Sequence, residues 1–199
     1  MIEIIFYGRG GQGVVVASKT LAAAFFHDGK YVQSFPAFGG ERRGAPVKAF
    51  LRVDEKAIRR RCLIYRADHA VILDDTLLDE MPIQDEVSSA VSIVINSASP
   101  PESFTGIDAS CVGTVNANTI AEDLGLGTTV LPIVNSTMLG AFAKVSRLVD
   151  MKSLSLAIQK NIAARSDDNI SGAAKAYEMV SSGFKTPSRE AKGGIDGRP

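Results

Sequence analysis

Apolar residues fall along this chain in two alternating rhythms. Short runs rich in β-branched residues occur at IEIIFY (2–7), YVQSF (31–35), HAVILDD (69–75) and VSIVIN (91–96). Bounded by Gly, Pro or polar residues, they predict buried strands. PVKAFLRV (46–53) alternates apolar and polar positions and predicts a strand with one wet face. Helical periods lie between the runs. Val14, Leu21, Ala22 and Phe25 share a face within 13–27, and HDGK closes that helix with Gly29 as its C-terminal cap. CVGTVNANTIAEDLG predicts a short strand, a turn capped by Asn116 or Asn118, and a helix ending at Gly125. TTVLPIVN reads as a further strand or extended segment. STMLGAFAKVSRLV reads as a helix with Met138, Leu139, Phe142, Val145 and Leu148 on one side, and 152–165 and 168–182 as two more.

Strands alternating with helices predict an α/β, Rossmann-like fold: a mainly parallel sheet flanked by helices, followed by C-terminal helices. One domain is expected over 1–183. The tail FKTPSREAKGGIDGRP (184–199) is polar and rich in breakers, and is expected to be disordered or docked on a partner. Ligands of such sheets bind outside the carboxyl ends of the strands. That points to 8–13, 34–44, 74–75 and 96–99, and to the helix entrance at 135–140.

Composition narrows the function. Lys plus Arg and Asp plus Glu both number 22, so the net charge is zero. No broad electrostatic case for nucleic acid or membrane exists, although a local cluster can still hold one anion. The run RRR (59–61) is read as a solvated or subunit-facing surface. Two cysteines, Cys62 and Cys111, with no CxxC pair are read as packing residues and exclude a disulfide scaffold, a zinc module or an iron–sulfur carrier. Free thiols suit a reducing cytoplasm. No run has the length of a membrane span, and Met1 leads almost directly into a strand, so neither insertion nor a signal peptide is expected.

The candidate chemistry starts at GRGGQG. Gly8, Gly10 and Gly13 satisfy GxGxxG between a predicted strand and a predicted helix. In the phosphate-binding reading, Gly8 permits the tight turn, Gly10 lets a phosphate approach the backbone, and Gly13 lets the helix pack on the sheet. Arg9 and Gln12 bring a charge and a polar head that reach phosphate or a neighbouring subunit. The other reading is a tight turn with no ligand. A nicotinamide site is disfavoured, because YVQSF ends in Ser34 and Phe35 rather than in a ribose-binding carboxylate. No GK[ST] follows, which excludes a P-loop. SFPAFGGERRGAP (34–46) reaches the same edge with Phe38, Gly39 and the adjacent Arg42 and Arg43. The arginines suit phosphate oxygens and the aromatics a base or thioester chain, or else the segment is a solvated basic turn. Asp74, Asp75 and Asn96 are read as caps or ligand contacts, Asn135 as a loop-shaping residue or ligand contact, and Ser136 as a cap. His27 and His69 are read as structural or solvated.

GRGGQGVVVASKTLA followed by FPAFGGERRGAPVKAFLRV, with the later VNSTMLGAFAK, resembles the gamma subunit or gamma domain of the 2-oxoacid:ferredoxin oxidoreductases over residues 2–180. Of these, the pyruvate enzyme (pyruvate synthase) is most similar, and the ERRGAPV wording resembles pyruvate and branched-chain members more than indolepyruvate or 2-oxoglutarate members. The resemblance implies oxidative decarboxylation of a 2-oxoacid on thiamine diphosphate, with electrons passing through iron–sulfur clusters to ferredoxin and coenzyme A taking the acyl group. It implies that this chain helps seat coenzyme A with Gly8, Arg9, Gly10, Gly11, Gln12, Gly13, Ser34, Phe38, Gly39, Arg42, Arg43 and Asn135, and holds the assembly together. Thiamine diphosphate, magnesium and [4Fe–4S] clusters are then expected in thiamine-binding alpha and beta subunits and a ferredoxin-like delta subunit. This chain lacks both the GDG…N motif for the thiamine magnesium and a four-cysteine run, so no catalytic residue is assigned to it. Aryl and branched-chain 2-oxoacids stay open beside pyruvate. A stand-alone nicotinamide or flavin oxidoreductase and a purely structural subunit are the competing classes.

Overall fold

The computed structural model describes residues 1–37 and 44–184. The candidates Phe38, Gly39, Arg42 and Arg43, and the tail from 185, lie outside the described residues. Strands β1 (Ile2–Arg9), β4 (His69–Ile72), β5 (Ala90–Asn96) and β6 (Ala109–Val115) run parallel as adjacent neighbours. With β2 (Tyr31–Pro36), β3 (Pro46–Asp54) and β9 (Ser181–Phe184) they make one seven-stranded sheet in the order β2-β3-β1-β4-β5-β6-β9. The expected α/β architecture is present, with two edits.

The first edit is β3. It runs antiparallel to both β1 and β2 and lies between them. Both faces of its central stretch are buried, Ala49 to Val53 throughout, so the predicted wet face is absent there. The alternation that suggested water comes from Lys48 and Arg52, whose charges are paired inside the fold rather than solvated. The second edit is β9. Helix α7 (Ser166–Met179) stops short of the predicted 182, and the next residues pair antiparallel with β6, Gly183 opposite Val112. The unpaired donors and acceptors along the edge of β6 override local helix preference. Phe184, placed in the tail by its surroundings in sequence, is a strand residue.

The sheet's two faces are covered unequally. Helices α1 (Val14–His27), α4 (Ala117–Asp123), α5 (Asn135–Ser146), α6 (Met151–Asn161) and α7 pack on one face, with a core of Phe6, Leu21, Met138 and Phe142 among others. Helix α5 crosses α7 so closely that a Cβ on Gly140 would lie 1.9 Å from the carbonyl oxygen of Ala173. The opposite face carries the four-residue helices α2 (Leu77–Glu80) and α3 (Ile83–Glu86), a 3-10 turn (Pro101–Ser103) and the irregular stretch 55–68, over Ile5, Tyr7, Ile72 and Ile93. TTVLPIVN is a hairpin rather than one strand: β7 (Gly127–Thr128) pairs with β8 (Leu131–Pro132), and its Asn135 begins α5. No helix among the described residues is long and apolar enough to cross a membrane.

Candidate functional site

The carboxyl ends of β1, β2, β4, β5 and β6 share one edge, since β2 runs antiparallel to β3 and therefore with β1. Helix α1 starts there directly from the glycine turn. Gly8 is still in β1, and a Cβ on it would sit 2.6 Å from Val14 Cγ2 and 3.1 Å from Leu73 Cβ. Gly8 thus provides the close helix–sheet packing predicted for Gly13. Gly13 has φ +83°, and its missing Cβ makes room for the Asn135 side chain, whose Nδ2 would lie 2.5 Å away. The starts of α1 and α5 meet at this contact.

Two backbone bonds tie the turn to the returning end of the 34–46 segment. Gly10 N–H donates to Ala45 O at 2.9 Å, and Gly44 N–H donates to Gly10 O at 3.0 Å. The outgoing end is fixed by Ala37 N–H donating to Lys48 O at 3.0 Å. Both ends of the segment bearing Arg42 and Arg43 are thus anchored at the edge that also holds GRGGQG. The N–H of Gly10 is occupied, so an anion in the turn would meet Gly11 and Gly13, whose N–H groups have no protein acceptor among the described residues. They stand at the positive end of a 14-residue helix.

Arg9 and Gln12 turn inward rather than out toward a ligand. Gln12 is buried; its Oε1 accepts the Arg9 N–H at 2.7 Å and its Nε2 donates to Asp74 Oδ2 at 3.1 Å. The Arg9 guanidinium donates to Asp74 (3.1 Å), Thr76 Oγ1 (2.6 Å), Glu80 (2.6 Å) and Gly44 O (3.3 Å). Its pKa is raised above the usual arginine value, chiefly by the Glu80 bond. Burial pushes the Asp74 carboxyl upward, but hydrogen bonds from Thr76 and Gln12 and the Arg9 charge outweigh it and hold the group below the usual value. Asp74 therefore combines the predicted cap, through the Thr76 N–H, with bracing of the glycine turn.

The other candidates separate. Ser34 lies two residues before the end of β2, under α1, where its hydroxyl meets Ser18 Oγ at 2.7 Å. Asn135 is 4% exposed; its Oδ1 accepts the Ser136 N–H at 2.7 Å, and its Nδ2 has no acceptor among the described residues. Ser136 is not a cap: its hydroxyl pairs with Asn169 Oδ1 at 2.6 Å, and Val134 holds the cap position. Asn96 joins Leu73 O, Asn118 Oδ1 and the Ala117 N–H, stitching β4 to α4. His69 is buried against Ser92 and Phe142, and burial lowers its pKa. Cys111 is a buried packing residue as expected, whereas Cys62 is exposed.

Two parts of this edge were not anticipated. Leu131 of the β7–β8 hairpin caps Gly11, where a Cβ would meet Leu131 Cδ2 at 2.9 Å. Pairing of Arg9 with Glu80 was also missed; a lone positive charge in a loop followed at long range by an acidic stretch gives no sequence signal of contact. Two separated cysteines cannot furnish the four thiolates of an iron–sulfur cluster, and no group of three or more metal-ligating side chains occurs among the described residues.

Comparison with known proteins agrees with this architecture. Residues 3–179 match the family described as pyruvate ferredoxin/flavodoxin oxidoreductase. The chain is 45% identical over 182 residues to pyruvate synthase subunit PorC of Methanothermobacter marburgensis, covering 90% of this chain and 98% of that one. It superimposes on the crystal structure of the pyruvate oxidoreductase subunit PORC of Thermotoga maritima with TM-score 0.75 and 32% identity, covering 91% of this chain and 97% of that one. The 2-oxoglutarate:ferredoxin oxidoreductase of Magnetococcus marinus, with 2-oxoglutarate, coenzyme A and succinyl-CoA bound, shares the fold at TM-score 0.63 and 17% identity, covering 89% of this chain and 30% of that one.

Proposed function

This chain belongs to the pyruvate ferredoxin/flavodoxin oxidoreductase family, as a gamma subunit of a 2-oxoacid:ferredoxin oxidoreductase, and from that premise we propose that it helps bind coenzyme A at the glycine-turn edge and holds the complex together. The complex converts pyruvate and coenzyme A to acetyl-CoA and CO2, passing electrons to ferredoxin. One observation carries the coenzyme A reading: the starts of α1 and α5 meet where Gly13 packs on the Asn135 side chain, and the N–H groups of Gly11 and Gly13 and the Asn135 Nδ2 have no acceptor among the described residues. That set fits a phosphate, which accepts hydrogen bonds and favours the positive ends of helices. Arg42 and Arg43 supply the charge for further phosphates from a segment anchored beside the turn. Arg9 and Gln12 act by shaping the turn, and Ser34, bonded to Ser18, acts from beneath helix α1. A protein of the same fold, the Magnetococcus enzyme, holds coenzyme A, which supports the reading at the level of fold.

Thiamine diphosphate, magnesium and the [4Fe–4S] clusters belong to the alpha, beta and delta subunits in this reading. Thiamine diphosphate supplies the carbanion chemistry and the clusters the one-electron steps. The residues here bind and orient the acyl acceptor. The complex works in the cytoplasm.

The test uses the whole complex, purified anaerobically through a tag on this chain. Pyruvate-dependent viologen reduction should require coenzyme A, and Arg42→Ala or Arg43→Ala should raise the KM for coenzyme A with little change in the KM for pyruvate. Unchanged coenzyme A constants in both variants, and in Asn135→Ala, would remove this edge from coenzyme A binding.

A further inference from the structure

The face of the sheet opposite the long helices carries a feature that coenzyme A binding does not use. Residues 56–66 contain Lys56, Arg59, Arg60, Arg61 and Arg66 and no carboxylate, in a chain of zero net charge. The stretch is irregular, and Arg59 to Leu63, Tyr65 and Arg66 are exposed while Ile64 anchors it in the core. Arg59, Arg61 and Arg66 have no ion-pair or hydrogen-bond partner among the described residues. Tyr65 is 70% exposed and Leu63 46%.

This basic ridge is held in place by a buried charge. Arg52 is fully buried, pairs with Glu3 at 2.7 Å, bonds Gln33 at 3.1 Å and lies over the Phe35 ring. Its remaining donors hold the carbonyls of Cys62 (2.8 Å) and Leu63 (3.3 Å), and Arg60 also reaches Glu3 at 3.7 Å. Burying a guanidinium is costly unless it is fully bonded. Here it fixes the shape of an exposed backbone, which lowers the ordering cost of docking. The ridge also borders the β2–β3 part of this face, where Gln33, Phe35 and Ala37 are only half-buried. Sheets of this kind ordinarily carry a full layer on both faces. Unpaired arginines around an exposed tyrosine are the composition of an interface centre.

From these observations we infer that the 56–66 ridge docks a partner subunit of the oxidoreductase through an acidic surface with an apolar recess for Tyr65. The inference rests on the chain being a subunit, and is independent of where coenzyme A binds. Nucleic acid is disfavoured because the rest of the chain offsets the ridge charge completely.

The experiment compares the tagged wild-type complex with R59E/R61E/R66E and, separately, Tyr65→Ser. Complexes are washed through a salt series, their subunits are identified, and thermal melting of each isolated chain is recorded. The side chains are exposed, so melting should not change. The triple variant should lose partner subunits, with affinity down about tenfold or more, and wild-type retention should fall with salt. A zero-length carbodiimide cross-link should join Lys56 to an Asp or Glu of the partner. Normal retention by both variants overturns this surface and leaves the subunit reading standing. A wild-type chain that recovers no subunits overturns both. If the triple change instead abolishes self-association, or binding to a short RNA, while the complex persists, the ridge serves a second copy or nucleic acid and the inference is wrong.

Discussion

The two faces of the sheet solve the same problem differently. Under the long helices, cohesion is apolar and steric: Phe6, Leu21, Met138 and Phe142 interlock, and α5 meets α7 through glycine. On the other face the strands carry charges inward, and each is matched. Arg52 meets Glu3. Lys48 meets Glu86 at 2.7 Å, and Glu86 also accepts the Tyr7 hydroxyl at 2.5 Å. Arg9 meets Asp74 and Glu80. Burial, with the Glu86 bond and charge, pushes the Tyr7 hydroxyl far above its ordinary pKa. The contrast teaches that short helices and irregular chain can cover a sheet when directional pairs replace packed area. One face is then limited by volume and the other by satisfaction of polar groups.

The steepest way to break that contrast is Gly140→Val. The added atoms enter backbone space at Ala173, and overpacking of a rigid helix crossing costs about 3 kcal/mol or more. Urea unfolding should show the loss as a lower midpoint at unchanged slope. A shift under about 1 kcal/mol would mean that the helices separate freely and that volume does not limit this face. Next in size is Arg52→Met, which fills similar space but strands two carbonyls and removes the partner of Glu3. The expected loss is about 2–3 kcal/mol, with new proteolytic cleavage within 55–66. Stability gained without cleavage would show that the buried charge neither pairs productively nor holds the ridge.

The helix face was the legible one. The apolar period in 13–27 and the Met138, Leu139 and Phe142 stripe each marked a real helix, because burial repeats at the pitch of the helix. GRGGQG marked the right turn for the same reason: glycine reports close approach wherever it occurs. The charged face was opaque. KAFLR in β3 looks identical whether its lysine and arginine meet water or meet Glu86 and Glu3, since those partners lie 38 and 49 residues away in sequence. The inward turn of Arg9 and Gln12 was hidden by the same distance, for Asp74 is 65 and 62 residues from them. β9 was missed because an edge strand is selected by the neighbour it completes. The strand-to-helix turn was therefore located correctly on the sheet, while Arg9 and Gln12 turned out to brace it.

A smaller effect sharpens the comparison at the glycine turn. Asp74→Asn keeps the shape but removes the charge that gathers Arg9, Gln12 and Thr76. It should lower stability by about 1–2 kcal/mol at neutral pH. The folded pKa of Asp74 is depressed, so its contribution is fully present above the unfolded value of about 4 and fades as pH falls through the lower folded value. The gap between wild type and variant should therefore close in acid. A gap constant down to pH 2 would mean that the carboxylate charge does not hold the turn.

The smallest effect carries the opposite sign. Thr20 is fully buried in α1, and its hydroxyl has no partner among the described residues. An orphan hydroxyl is tolerable on a face held by volume, because it occupies space even while it forgoes a hydrogen bond. Thr20→Val keeps the β-branch and removes the unpaired oxygen, so stability should be unchanged or rise by about 0.5–1 kcal/mol. The equivalent polar-to-apolar change on the other face, Tyr7→Phe, also keeps shape but deprives Glu86 of a donor, and should cost about 1 kcal/mol. If both changes moved stability in the same direction, the two faces would not differ in kind, and the division between volume and pairing would have to be given up.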